Sequence, residues 1–354
     1  MPGVKIQPLD RIDQELLNLV QVDFPVVARP FAFLGEQLEV DEDEVMARLG
    51  ALKKNKIIRQ ISAIFDTRAL GYKSSLVATR APSDYVDDVA AVISEHPGVS
   101  HNYRRDHEFN IWWTVAVPPT SSLEAHVDAL HGLAGAEATR LMQTIRMFKI
   151  GVDLDMTGTR AADAKTTIPA YRASPKAGLA LDEAEVALLR ELQEDITLEP
   201  APFAGMAARI GITEEDVLDG ARRFVAEGRC RRFAAVLHHR QAGFVANAMS
   251  VWRVPEERID EVGNAMAGFA AVSHCYQRPT YPDWPYNLFG MLHGRSKDDC
   301  EESADAIARD TGIAEHAMLY STKEYKKVRV RYYAPEFFEW ERRHLATGNG
   351  STSS

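Results

Sequence analysis

Val99-Ser100-His101-Asn102-Tyr103-Arg104-Arg105-Asp106-His107-Glu108-Phe109-Asn110-Ile111-Trp112 sets an imidazole, a phenol and two adjacent guanidinium groups between a valine and an apolar run. It has an echo in Val272-Ser273-His274-Cys275-Tyr276-Gln277-Arg278-Pro279, continued by Thr280-Tyr281-Pro282-Asp283-Trp284-Pro285-Tyr286-Asn287-Leu288-Phe289. Such a density of polar and aromatic groups beside a strand calls for a ligand or an unusually polar interface. The echo decides the fold. Gly71 matches Gly243 (243 − 71 = 172), His101 matches His274 (274 − 101 = 173) and Asn110 matches Asn287 (287 − 110 = 177). The offset grows because the second copy carries four extra residues (177 − 173) inside the signature loop. A spacing this regular is the mark of an internal duplication.

Each copy opens with helical periodicity. Leu9, Ile12, Leu16, Leu17 and Val20 fall on one helical face, and Leu181, Val186, Leu188 and Leu189 are their counterparts. A helix over 40–56 opens on acidic residues, with Val45, Leu49 and Leu52 on one face. Its counterpart starts at Ile212-Thr213-Glu214-Glu215-Asp216-Val217, with Thr213 as N-cap. Two or three short helices followed by strand entry form a winged helix-turn-helix pattern. A longer module follows: strands at 61–65 and 76–78 around the Gly71 turn, a helix over 85–96, strands at 99–103 and 109–117, a helix over 123–133 and a strand over 145–152. That is the β-α-β-β-α-β order of a ferredoxin-like domain. The expected organisation is therefore α+β, a tandem repeat of winged helix-turn-helix plus ferredoxin-like domain. Its parts are 8–60 and 61–156, a Thr/Ala/Lys/Pro-rich linker at 157–179 that contains Tyr171 and Arg172, 180–232 and 233–340, and a disordered tail at 341–354. Pairing of the two ferredoxin-like sheets would make the chain an internal pseudo-dimer.

Composition narrows the function. The 354 residues are 45% hydrophobic and 26% charged, ordinary for a globular protein of two or more domains. Against 41 Lys and Arg stand 51 Asp and Glu, a net charge of −10. Such a surface repels nucleic acid and anionic membranes unless basic groups are locally concentrated. Cys230, Cys275 and Cys300 are odd in number and have no metal-ligand spacing, which suggests a reducing compartment. No signal pattern and no apolar run of membrane length is present, so the expected setting is cytoplasmic.

Winged helix followed by ferredoxin-like domain resembles the Lrp/AsnC transcription regulators, carried here by Leu9-Asp10-Arg11-Ile12-Asp13 and the passage from Leu52 and Ile57 to Gly71-Tyr72. A recognition helix presents its N-terminus to the major groove with cations nearby. The candidate helix instead opens Asp41-Glu42-Asp43-Glu44, and its repeat mate opens Glu214-Glu215-Asp216, while Lys53, Lys54 and Lys56 sit at the far end. Carboxylates there stabilise the helix dipole and repel DNA. DNA is therefore not the expected partner.

The two signature stretches, with Leu319-Tyr320-Ser321-Thr322-Lys323-Glu324-Tyr325-Lys326-Lys327, resemble the siroheme decarboxylases over nearly the whole chain. That family occurs as two homologous subunits or as a fusion, and this chain is similar to the fusion. The resemblance implies removal of carbon dioxide from two acetate side chains of siroheme, giving didecarboxysiroheme, in haem d1 or siroheme-dependent haem biosynthesis. It leaves association of fused chains into a homodimer open. The alternative, on the same pocket, is a haem- or siroheme-sensing regulator without turnover.

The residues suit such a substrate. A planar polycarboxylate needs an aromatic wall and cationic rim donors. Trp284, Tyr281, Tyr286, Trp112 and Trp113 are candidates for the wall, and Asn287 for a further contact. Arg104, Arg105 and Arg278 are candidate donors, followed by the repeat mates Arg59 and Arg231 and by Lys149 and Lys326 (326 − 149 = 177). Decarboxylation beside a pyrrole needs an electron sink and a proton donor; protonating the ring creates the sink and a second proton completes the methyl group. Histidine suits both steps. His101 and His274 are the repeat-related candidates, with His107 in the first copy alone and Tyr276 or Tyr103 as donor or relay. The competing role for His101 or His274 is an axial bond to the substrate's iron. No cofactor beyond the iron tetrapyrrole is expected. His126, His131 and His316 read as structural, and His238-His239 as a solvated turn rather than a metal pair. The longer aromatic loop places the principal site with the second half, the first half contributing donors.

Overall fold

A computed structural model describes residues 9–150, 164–165, 180–237 and 246–345. The linker other than residues 164–165, Val152, His238-His239, Gly243 and the tail from 346 lie outside the described residues. The first copy runs α1 (Arg11–Val22), α2 (Pro30–Leu38), α3 (Glu42–Lys54), β1 (Ile58–Phe65), β2 (Lys73–Arg80) and α4 (Val86–Glu95). It continues through β3 (Val99–Arg105), β4 (Ile111–Val117), α5 (Leu123–Ala134), β5 (Ala138–Met142) and β6 (Arg146–Ile150). The second runs α6 (Glu183–Leu192), α7 (Pro202–Ile210), α8 (Glu214–Ala226), β7 (Cys230–Leu237), β8 (Ala246–Trp252) and α9 (Ile259–Ala267). Then come β9 (Val272–Gln277), β10 (Leu288–Gly294), α10 (Lys297–Thr311), β11 (His316–Lys327) and α11 (Pro335–His344).

Two compact units divide these elements. The first holds both three-helix modules and a two-stranded sheet in which β1 pairs antiparallel with β7, Ile61 opposite Ala235 and Ala63 opposite Phe233. Each helix start is locally determined. Asp41 caps α3 by accepting from the Glu44 amide at 2.7 Å, and Thr213 and Asp216 close a reciprocal capping box on α8. The acidic opening of α3 is tied down as well: Glu42 pairs with Arg29, and Glu44 with Arg48, which also reaches Asp10 and Asp13. The expected boundaries at 60/61 and 232/233 are corrected here. They cut β1 and β7, which are wings paired across the duplication and belong with the helices rather than opening the ferredoxin-like domains.

The second unit holds both ferredoxin-like modules in one sheet of order β5-β2-β4-β3-β11-β8-β10-β9-β6. β11 joins the halves: its N-terminal part pairs with β8, and Ser321 to Lys327 pair with β3. In the first copy the equivalent stretch is broken at 143–145, so that β5 stays with β2 while β6 crosses to β9. This reciprocal exchange of last strands makes the chain an internal pseudo-dimer. Helices α4 and α5 cover one outer face over Val77, Val89, Ile93, Trp113 and Val115. Helices α9 and α10 cover the other over Trp252, Val262, Met266, Leu292 and Ile307. A third core joins the inner faces through Phe109, Trp112 and Met142 of the first copy and Val251, Trp284, Phe289 and Leu319 of the second. Helix α11 corrects the expected tail: residues 341–344 are helical because Phe337 and Trp340 anchor them to the first module. No helix among the described residues is long and apolar enough to cross a membrane.

Candidate active site

On β3 the side chain of Asn102 points to the helices, donating to the Ala90 carbonyl and Ser94 Oγ of α4. On β9 Cys275 does the same, its thiol facing the Gly263 carbonyl of α9. Strand alternation then turns His101, Tyr103 and Arg105, and likewise His274, Tyr276 and Arg278, to the inner face. Trp112 opposite Tyr103 and Phe289 opposite Tyr276 confirm that face, since both lie in the inner core. The site is thus a duplicated His-x-Tyr-x-Arg triad. Arg105 and Arg278 share the histidines' offset (278 − 105 = 173), a correspondence readable in the sequence but not drawn from it.

A β-bulge completes each triad. Val99 faces Val115 and His101 faces Thr114, which leaves Ser100 unmatched; Val272 faces Leu292 and His274 faces Met291, which leaves Ser273 unmatched. Adjacent residues of a regular strand point to opposite faces, and the bulge re-aims each serine towards its histidine. Ser100 Oγ lies 3.0 Å from His101 Nδ1, and Ser273 Oγ lies 2.8 Å from His274 Nδ1. Behind Ser100 stands Thr114 Oγ1 at 2.8 Å; behind Ser273 stands His293 Nε2 at 2.7 Å. Burial, and secondarily the nearby His293, Arg278 and Lys149, pushes His274 down to about 4. Burial likewise lowers His293 and His107.

The arginines cross between copies. Arg105 is buried and donates from Nη1 to the Leu319 carbonyl of β11, and Arg278 is buried and donates to the Met142 carbonyl of β5. Among the described residues neither Nε has a hydrogen-bond partner. Burial lowers both guanidinium groups to about 10, which leaves them cationic at neutral pH. The Arg278 guanidinium lies 4.9 Å from the Tyr276 ring centre. Tyr103 is pushed up to about 12, first by burial and then by Glu324.

Around the triads the second copy's loop is clamped onto the first copy. Tyr281 and Trp284 bond each other's backbone in both directions, and Tyr281 Oη donates to the Leu141 carbonyl at 2.7 Å. Arg140, which the sequence did not single out, holds Asp283 through Nε at 2.9 Å and Nη2 at 2.8 Å and lies over the Tyr281 ring. Trp284 inserts among His107, Phe109, Trp112 and Phe289. His107 is brought to this cluster, its Nδ1 accepting from the Phe109 amide.

Several expected ligand contacts are corrected. Trp284 is 0% exposed, as Trp112 and Trp113 nearly are, so these rings are core rather than an open wall. Asn287 accepts from the Val254 N–H through Oδ1 and donates to the Val254 carbonyl through Nδ2, as Asn110 does with Ala81. Lys149 donates to the Phe269 carbonyl and Lys326 to the Ser94 and His96 carbonyls, so each caps the helix end of the opposite copy. Arg104 turns to the helix-covered face beside Asp87 and Tyr325. Arg59 and Arg231 belong to the helical unit, where Arg231 pairs with Asp66. His126 is buried between His96 and Glu341, in agreement with its structural reading. The described residues hold no cluster of metal-ligating side chains.

Comparison with known proteins agrees with the duplicated architecture. The family described as an AsnC-like ligand binding domain matches 69–149 and 241–326, and the siroheme decarboxylase NirDL-like HTH domain matches 13–59 and 185–231. A siroheme decarboxylase of Hydrogenobacter thermophilus is 39% identical over 330 residues, covering 92% of this chain and 96% of that protein. The siroheme decarboxylase beta subunit of Methanosarcina barkeri is 47% identical over 151 residues, covering 43% of this chain and 99% of that subunit. The crystal structure of the siroheme decarboxylase NirDL in complex with an iron-uroporphyrin III analogue superposes with a TM-score of 0.75 at 33% identity, covering 95% of this chain and 99% of that one.

Proposed function

The chain belongs to the siroheme decarboxylase family, and from that premise we propose that it is a carboxy-lyase that converts siroheme to didecarboxysiroheme by removing carbon dioxide from two acetate side chains. The observation that carries this reading is the duplicated inner-face triad. Each copy supplies an imidazole for proton transfer, a phenol beside it and a buried arginine with one N–H still to be satisfied. A buried unpaired N–H costs about 1–3 kcal/mol, and a substrate carboxylate that accepts from it removes that cost.

Each acetate loses its carboxylate as carbon dioxide and its remaining carbon becomes a methyl group, so the ring system takes up one proton from the protein per carboxylate released. Protonation at the ring makes the pyrrole the electron sink; after carbon dioxide departs, a proton at the former acetate carbon completes the methyl group and the ring proton returns. His101 and His274 are the donors, Tyr103 and Tyr276 their neighbours, and Arg105 and Arg278 the carboxylate anchors. His107 faces the principal site beside the second copy's loop. The iron tetrapyrrole suffices as its own sink, without a further cofactor. The fused chain supplies both halves that relatives carry as separate subunits. Three buried free thiols fit a cytoplasmic setting.

Anaerobic incubation with siroheme, followed by mass spectrometry, tests the proposal. Successive loss of two carbon dioxide units is the expected result. Unchanged siroheme after prolonged incubation overturns it.

A further inference from the structure

Ser273 sits between two imidazoles. It is 1% exposed, and its Oγ lies 2.8 Å from His274 Nδ1 and 2.7 Å from His293 Nε2, with the Met291 carbonyl a longer third neighbour at 3.4 Å. A hydroxyl has one hydrogen, so when Ser273 donates to one imidazole it must accept from the other. The three groups are therefore a continuous donor–acceptor chain. The first copy has the same bulge and the same Ser-His pair, but the position equivalent to His293 (293 − 177 = 116) is Ala116, which has no group that carries a proton. The equivalence is structural as well: the amides of both residues bond the strand-entry carbonyls, His293 to Ala271 and Ala116 to Gly98.

We propose that His293 is a positioning residue that relays protons through Ser273 to His274, replacing at Nδ1 the proton that His274 gives to the substrate from Nε2. The proposal rests on His274 as the proton donor. The step balances without any co-reactant. A solvent proton enters at His293 Nδ1, the His293 Nε2 proton passes to Ser273 Oγ, and the Ser273 proton passes to His274 Nδ1. The His274 Nε2 proton then goes to the substrate carbon. One solvent proton is consumed for each carboxylate released as carbon dioxide, and the protein ends neutral with both imidazoles in the other tautomer, which proton exchange resets before the next cycle. A relay is needed because a neutral imidazole holds no spare proton: it can release the one on Nε2 only while another arrives on Nδ1. His293 is partly exposed, as His274 is, and it is the end of the chain remote from the His274 Nε2 that faces the substrate.

The test compares His293→Gln and His293→Ala with the unmutated chain, following turnover and siroheme binding by absorbance. Glutamine keeps a donor and an acceptor for Ser273 but transfers no proton, which separates relaying from orienting. Both variants are expected to lower kcat at least about tenfold while siroheme affinity stays within about twofold. Wild-type turnover in His293→Gln overturns the relay, because a hydrogen bond alone would then suffice. Loss of siroheme affinity in proportion to turnover also overturns it, because His293 would then hold the ligand or the fold. An unmutated chain that releases no carbon dioxide sinks the proposed function itself, and the relay with it.

Discussion

Set side by side, the two signature stretches share a strand, a bulge and a triad, and part company in two places. Behind the bulge serine stands a threonine hydroxyl in the first copy and an imidazole in the second. Beyond the arginine, the first copy makes a short turn pinned by Asp106 Oδ1 accepting from the Tyr320 amide, and the second makes a Pro-rich loop pinned by Asp283 and Tyr281. Both loops clamp the opposite copy, as do both arginines and the lysine pair Lys149 and Lys326.

The loop difference offers the largest stability test. Trp284 comes from the second copy and is buried against the first, so Trp284→Ala is expected to cost about 3–5 kcal/mol in denaturant unfolding. A cost under about 1 kcal/mol would mean that the loop is not part of the shared core.

A second test uses pH. His274 has a folded pKa of about 4 against an ordinary 6.5, and His96, His107, His126 and His293 are shifted in the same direction, chiefly by burial. For each, the unfolded chain binds the proton first as pH falls. Their contribution to stability is therefore full above about 6.5 and, for His274, is lost on the way down to about 4. The urea midpoint is expected to be lower at pH 5 than at pH 7, with a smaller difference in His274→Asn than in the unmutated chain. An identical difference in both would show that His274 does not carry its share.

The smallest effect is at the clamp. Arg140 and Asp283 are each about one-quarter exposed, which limits the pair to about 0.5–1 kcal/mol. A double-mutant cycle of Arg140→Ala and Asp283→Ala is expected to return a coupling of that size. No coupling would assign the loop's position to Tyr281 and Trp284 instead.

Much of this was legible beforehand. Helical periodicity gave α1, α3, α4 and α5, and the constant offset of His101, Asn110 and their mates gave the duplication. Features set by long-range pairing were not. Nothing local in 58–65 says that its partner is 230–237, and the break between β5 and β6 is decided by which sheet edge each half completes. Helix α2 was not singled out because its start has no side-chain cap, and α11 because its anchoring is tertiary. At the site, His101, His274 and Tyr276 stood out by repetition and Arg105 and Arg278 by residue type, whereas His293 breaks the repeat and so carried no signal. The serines were visible, but that a bulge turns them onto their histidines depends on strand register, which the residues do not display. The aromatic and lysine expectations failed for one reason: residue type fits a pocket and a core equally well, and burial separates the two.

Whether both unequal triads serve one decarboxylase is decided by turnover of siroheme in His101→Ala and His274→Ala, with bound tetrapyrrole measured in the same samples. Each variant is expected to bind siroheme still and to lose at least about 10²-fold in carbon dioxide release. Wild-type rates in both variants would contradict that expectation.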